Sequence, residues 1–234
     1  VGGLFDKARL RLIGDRGLLV EYGQAIDPEI NRKVRAMALA VERAGLAGLI
    51  EIIPTYRSLL LVYDPLTADP DSLAAGLTGL EEKLDRIEIP PPGLVELPVC
   101  YGGQMGPDLE FVARHNRISP EEVIRLHSGP DYQIYMIGFT PGFPFLGGLP
   151  EALHTPRLET PRTLVPAGSV GIANNQTGVY PVDSPGGWRL IGRTPLRLFD
   201  PERAEPFLYQ AGDRLRFRPI SPEEYRDLAQ GGAG

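Results

Sequence analysis

Residues 138–195 hold most of the groups in this 234-residue chain that could do chemistry on a small anion. Ten glycines and nine prolines fill a third of that stretch, together with Arg157, Arg162, Arg189 and Arg193. Glycine lets a backbone approach a ligand and expose its N–H donors, and guanidinium forks match carboxylates and phosphates. From Glu151 to Arg197 five arginines stand against Glu151, Glu159 and Asp183, a locally basic segment in a chain of formal net charge −6. On composition alone a plainer reading stands beside this one, in which the glycines and prolines turn the corners of a barrel and the arginines are solvated.

His154, beside Thr155, Pro156 and Arg157, lies in an irregular segment where imidazole could serve as an acid or base or as a phosphate donor, or simply as a hydrogen-bonded surface group. Gln176, Thr177 and Tyr180, followed by Ser184, Gly186, Gly187 and Trp188, gather amide, hydroxyl and indole donors able to orient a polar ligand. Trp188, the single tryptophan, reads equally as a ligand wall or as a plug for one end of a barrel. Phe139, Phe143 and Phe145 sit among small residues in GFTPGFPFLGG, either as an exposed surface for a second protein or as an internally packed loop. His127 falls in the last turn of a helix, where a positive group suits the dipole, and Cys100 reads as a small buried hydrophobe.

Familiar catalytic signatures are missing. Lys7, Lys33 and Lys83 are the only lysines, so no phosphate-binding GxxxxGK[ST] loop can exist beyond residue 83, and GxSxG and HExxH are also absent. The three histidines lack zinc spacing, so no metal site is expected, and one cysteine allows no internal disulfide. With 42% hydrophobic and 23% charged residues the composition is that of a globular protein, and its acidity disfavours a nucleic-acid partner. No run of about 18 apolar residues marks a membrane span and the start shows no signal-peptide core, so a cytoplasmic protein is expected.

The elements that must position these residues fall into an α+β chain of two parts. Residues 1–88 read as one domain, with strands at 9–13 and 18–22, a helix opened by Asp27 and Pro28 and closed by Gly45, strands at 49–53 and 58–63, and a second helix from about Asp71. Strand, helix, strand, strand, helix suggests a ferredoxin-like sandwich. The proline-rich stretch 89–93 reads as a stiff linker, and 94–234 as the second domain. There a strand precedes two short helices, the second opened by Ser119, Pro120 and Glu122 and ended by Gly129. Short strands separated by turn residues follow, including GWRLIG and PLRLF, in the manner of a small closed β-barrel, and a last helix opens at Ser221.

YGGQMGPDL, GFTPGFPFLGGLPEALHTPR, VPAGSVGIANNQTGVYPVDSPGGW and LIGRTPLRLFDP closely resemble the B-subunit family of bacterial 5-oxoprolinase, also described as allophanate hydrolase subunit 1 or as the KipI sporulation-kinase inhibitor family. The resemblance runs from about Arg9 to Ile220 and is weaker in the N-terminal part. It implies an N-terminal ferredoxin-like domain followed by a cyclophilin-like β-barrel. It also implies one component of an enzyme, working with the C and A subunits of 5-oxoprolinase to open 5-oxoproline to L-glutamate. ATP would be a co-substrate shared with the partner, and magnesium is compatible with the reaction although nothing in the sequence marks a site for it. His154, Arg157 and Arg162 match family motif positions and are the catalytic candidates, with the arginines as anion clamps. Ser169, Gln176, Tyr180, Ser184, Gly186, Trp188 and Arg193 are the substrate- or phosphate-binding candidates, and Phe139, Phe143 and Phe145 the partner-binding ones. The family leaves two alternatives, inhibition of a sensor histidine kinase and a carboxyltransferase part of a urea carboxylase. Prolyl isomerisation carries little weight, because a shared fold does not carry an activity.

Overall fold

The computed structural model describes residues 3–231. The chain divides between Pro91 and Pro92 into two compact units. In the first, β1 (Leu4–Ile13), β2 (Gly17–Gly23), α1 (Pro28–Ala44), β3 (Leu49–Pro54), β4 (Ser58–Tyr63) and α2 (Pro70–Glu81) follow in order. The strands form one antiparallel sheet ordered β1-β2-β4-β3. Period-two alternation puts Leu18, Val20 and Tyr22 of β2 beside Leu59, Leu61 and Tyr63 of β4 on one face. Ile30, Val34, Met37 and Val41 of α1 and Leu73 and Leu77 of α2 cover that face. The caps are local and chemical: the Asp27 carboxylate accepts from the Glu29 and Ile30 N–H groups, Pro28 opens α1, and Gly45 ends it in the left-handed region at φ 57°.

Two sequence expectations differ in extent. The first strand begins at Leu4 rather than Arg9, because its register against β2 shifts between those residues and the shift breaks the alternation that marks a strand. The second helix starts at Pro70 rather than Asp71, capped by Asp69, and ends at Glu81 ahead of a separate 3-10 turn, Leu84–Arg86.

The second unit begins with β5 (Leu94–Tyr101), α3 (Leu109–Asn116), α4 (Pro120–Ser128), β6 (Tyr132–Ile137) and β7 (Pro144–Gly147). It continues with β8 (Arg162–Val165), β9 (Ser169–Ala173), β10 (Gln176–Val179), β11 (Ser184–Gly186), β12 (Arg189–Arg193), β13 (Arg214–Pro219) and α5 (Pro222–Gly231). Seven strands form a sheet ordered β10-β9-β12-β5-β13-β6-β7, and its two edge strands β10 and β7 lie against each other, so the sheet is nearly closed and barrel-like. The pair β5 and β13 is parallel and the other pairs are antiparallel. Strands β8 and β11 make a separate two-stranded ribbon. Leu97, Val99, Ile134, Leu146, Val170, Ile172, Leu215 and Phe217 fill the interior, with Val112 of α3 and Val123 of α4 packed against them. PLRLF (195–199) forms no extended strand and keeps only an isolated bridge between Phe199 and Phe207, since Pro195, Pro201 and Pro206 remove ladder donors around it.

His127 is fully buried in this core. The Thr177 hydroxyl donates to the Gly171 carbonyl at 3.1 Å, so it accepts from His127 Nε2 at 2.8 Å. Nδ1 lies 2.8 Å from the Tyr101 hydroxyl, which donates to it in the neutral ring. A neutral imidazole satisfies all three bonds, and burial pushes its pKa down to about 3. An unfolded histidine takes up a proton near pH 6.5. Between these values the unfolded chain binds more protons, so the stability held above pH 6.5 is lost as pH falls, by up to about 1.4 kcal/mol per pH unit. Urea titrations of His127→Gln are expected to show a shallower loss between pH 6 and pH 4 than the unsubstituted chain, and equal slopes would contradict a neutral His127.

Candidate active site

Two paired glycines create the site. Gly171 of β9 lies opposite Gly178 of β10, leaving a stretch of sheet without side chains on which aromatic rings settle. A Cβ on Gly178 would stand 3.0 Å from Phe143 Cζ and 3.1 Å from Trp188 Cζ3, and one on Gly171 would stand 3.1 Å from Trp188 Cβ. Phe143, Tyr180 and Trp188 meet edge-to-face with centroids 5.5–6.3 Å apart, the geometry that opposed ring quadrupoles favour. With Val165, Ala173 and Leu190 they form an apolar cluster apart from the main core.

A hollow of about 160 Å³ opens over this cluster, lined by Phe139, Phe143, Phe145, Arg157, Tyr180, Gly186, Gly187 and Trp188. Arg157 is exposed at its edge, with its guanidinium carbon 5.9 Å from the Trp188 ring centroid, and among the described residues it has no acidic partner. Tyr180 is buried; that burial pushes its hydroxyl pKa up, while a backbone hydrogen bond to Trp188 and the Arg157 and Arg162 charges pull it down. Phe139 stands at the mouth, 70% exposed and at φ 69°, a conformation that costs a residue with a Cβ of order 1 kcal/mol. Its loop holds this shape through Gly138 N–H to Phe143 O at 3.0 Å and Tyr209 hydroxyl to Gly142 O at 2.7 Å.

The structure thus brings Arg157, Tyr180, Gly186 and Trp188 together with Phe139, Phe143 and Phe145, two sets that the sequence treats as separate ligand and partner surfaces. Of the three phenylalanines only Phe139 is exposed; Phe143 is buried and Phe145 is half-buried. Arg162 is committed elsewhere, with Nη2 3.0 Å from Asp108 Oδ1 and Nη1 3.3 Å from the Trp188 carbonyl. Arg193 donates from Nε to the Ala167 carbonyl at 2.8 Å. Half-buried His154 ends the 3-10 turn Glu151–Leu153, with Nε2 3.4 Å from the Leu149 carbonyl, and it does not line the hollow. Ser169 is buried in β9, Gln176 opens β10, and neither lines the hollow. Ser184 Oγ is buried without a hydrogen-bond partner among the described residues, as is Thr140 Oγ1. No group of three or more His, Cys, Asp or Glu among the described residues is placed to hold a metal ion, and no described helix is long and apolar enough to cross a membrane.

Residues 8–209 match the carboxyltransferase domain family, subdomain C and D. The chain is 44% identical over 228 residues to the 5-oxoprolinase B subunit of Bacillus subtilis, covering 93% of this chain and 95% of that protein. The crystal structure of TTHA0988 superposes with a TM-score of 0.79 at 41% identity, over 88% of this chain but only 40% of that longer one. A urea amidolyase of Lachancea kluyveri is 26% identical over 255 residues, which span 94% of this chain and 14% of that protein. The chain belongs to the carboxyltransferase subdomain C and D family, and within it to the family of 5-oxoprolinase B subunits.

Proposed function

We propose that this chain is the B subunit of an ATP-dependent 5-oxoprolinase, acting in the cytoplasm with the C and A subunits to open 5-oxoproline to L-glutamate. The observation that carries the reading is the hollow itself: an unpaired guanidinium, Arg157, at the edge of a small aromatic box. The substrate is a small flat ring bearing a carboxylate, and such a box and fork suit those two features. The identity of 44% to a protein named as a 5-oxoprolinase B subunit, against 26% to a urea amidolyase, favours this substrate over a urea derivative. In TTHA0988 the matching region is 40% of one longer chain, which supports a site completed by further polypeptide. The exposed Phe139 is the part of the aromatic loop suited to meet that partner.

A five-membered lactam is a stable amide. Transfer of the γ-phosphoryl group of ATP to its carbonyl oxygen activates the carbon, water adds there, and the C–N bond breaks to free the amine and leave γ-glutamyl phosphate, which a second water hydrolyses to glutamate and phosphate. On this chain Arg157 would hold the carboxylate or the phosphoryl charge, while Trp188 and Tyr180 orient the ring and exclude water.

The finer architecture belongs to the same reading. The order β1-β2-β4-β3 supports a ferredoxin-like sandwich whose last strand has been moved to the front, and the nearly closed sheet of the second unit supports a cyclophilin-like barrel. Reconstitution with the C and A subunits tests the function. ATP consumption that depends on both 5-oxoproline and this chain is expected; its absence with all three polypeptides present, or capture of a histidine kinase in place of the C subunit, would reject it.

A further inference from the structure

Asp108 stands at the N-cap position of α3, where an aspartate ordinarily accepts hydrogen bonds from the first-turn N–H groups, yet its side chain makes no such bond. It is turned the other way. Oδ2 accepts from the Leu190 N–H at 2.7 Å, and the Asp108 N–H donates to the Leu190 carbonyl at 2.8 Å, so the two residues are joined in both directions. The same carboxylate receives Arg162 Nη2 at 3.0 Å on Oδ1 and 2.9 Å on Oδ2, with the Asp108 side chain only 11% exposed. Arg162 carries the hold one step further through its contact with the Trp188 carbonyl. A local cap has thus been given up for a tether across 82 residues of sequence that ends on the back wall of the hollow.

From this geometry we infer that Asp108 and Arg162 are positioning residues for the ligand site: together they fix the backbone from Trp188 to Leu190 and with it the indole that walls the hollow. The pair also neutralises Arg162, leaving Arg157 as the cation that a ligand meets there. Arg162 therefore acts through Trp188 rather than on the ligand. Because Arg162 and Gly186 are partners in the β8–β11 ribbon, the same anchor sets the glycine side of the hollow. The inference rests on the proposed function only for its kinetic readout.

Asp108→Asn keeps one acceptor for the Leu190 N–H but presents an amide donor to Arg162, while Arg162→Gln removes the charge from the other side. In the isolated chain Trp188 is the only tryptophan, so its emission reports the wall directly. Both variants are expected to shift that emission, with circular dichroism unchanged. In the reconstituted complex both are expected to raise KM for 5-oxoproline by about tenfold with kcat within about threefold, the signature of disturbed binding. The double variant should do no more harm than either single one, because both break the same tether. Folded single variants with unshifted emission and unchanged KM would overturn the inference. If the unsubstituted complex shows no 5-oxoproline-dependent turnover, the proposed function fails, and the emission shift still decides the tether.

Discussion

Replacing Arg157 by alanine is expected to lower kcat/KM for 5-oxoproline-dependent ATP consumption by about 100-fold or more, the loss found when one donor aimed at a reacting charge is removed. Arg162 is neutralised by Asp108 and Arg193 is bound to a backbone carbonyl, so among the residues that line the hollow Arg157 is the one cationic group. Arg157→Lys keeps the charge without the fork and should recover part of the loss. Stability should change by less than about 0.5 kcal/mol, since Arg157 is exposed and its guanidinium carbon stands 5.9 Å from the Trp188 ring centroid. Steady-state kinetics beside thermal unfolding checks both halves. Near-normal turnover in a folded Arg157→Ala complex would mean that the ligand's charge is met by another chain.

The second large effect is steric. An alanine at Gly186 would place its Cβ 2.8 Å from Tyr180 Cζ, against a buried ring packed edge-on to Phe143 and Trp188. No flexible tip is available to move aside, so the box itself must shift, at about 1–3 kcal/mol for overpacking of this kind. Gly187 lines the same hollow, but a Cβ there would meet only Pro161 Cγ at 3.6 Å, an ordinary contact. Gly187→Ala should therefore leave stability within about 0.5 kcal/mol. Chemical denaturation of the pair separates a tight box from a merely glycine-rich loop, and equal midpoints for the two variants would show that the hollow gives way freely.

Local chemistry was the readable part of the fold. Asp27, Pro28 and Gly45 bound α1, and Ser119 caps α4 through the Glu122 N–H at 3.2 Å, because a cap is written within four residues. Non-local pairing was less legible. The register shift after Leu4 concealed half of β1, and prolines around 195–206 left PLRLF without a ladder although its alternation resembles a strand. The same division runs through the site. Residue types marked the 138–195 stretch, but spacing cannot say which of its members converge: Arg157 and Trp188 do, whereas His154, Ser169 and Arg193 do not line the hollow. The role of Asp108 is illegible in the sequence for a physical reason. Aspartate before a short helix reads as a cap, and only the folded chain bonds its carboxylate to Leu190 and Arg162 instead.

The most direct measurement places the ligand rather than the reaction. Trp188 is the sole tryptophan of the chain, so incorporating 5-fluorotryptophan only into this polypeptide gives one ¹⁹F resonance within the assembled complex, whatever tryptophans the partners carry. Titrating 5-oxoproline should move that resonance saturably, with a midpoint that weakens by about tenfold or more in Arg157→Ala, as loss of a charge-assisted fork implies. A complex that consumes ATP in response to 5-oxoproline while the Trp188 resonance stays fixed would show that the substrate sits elsewhere.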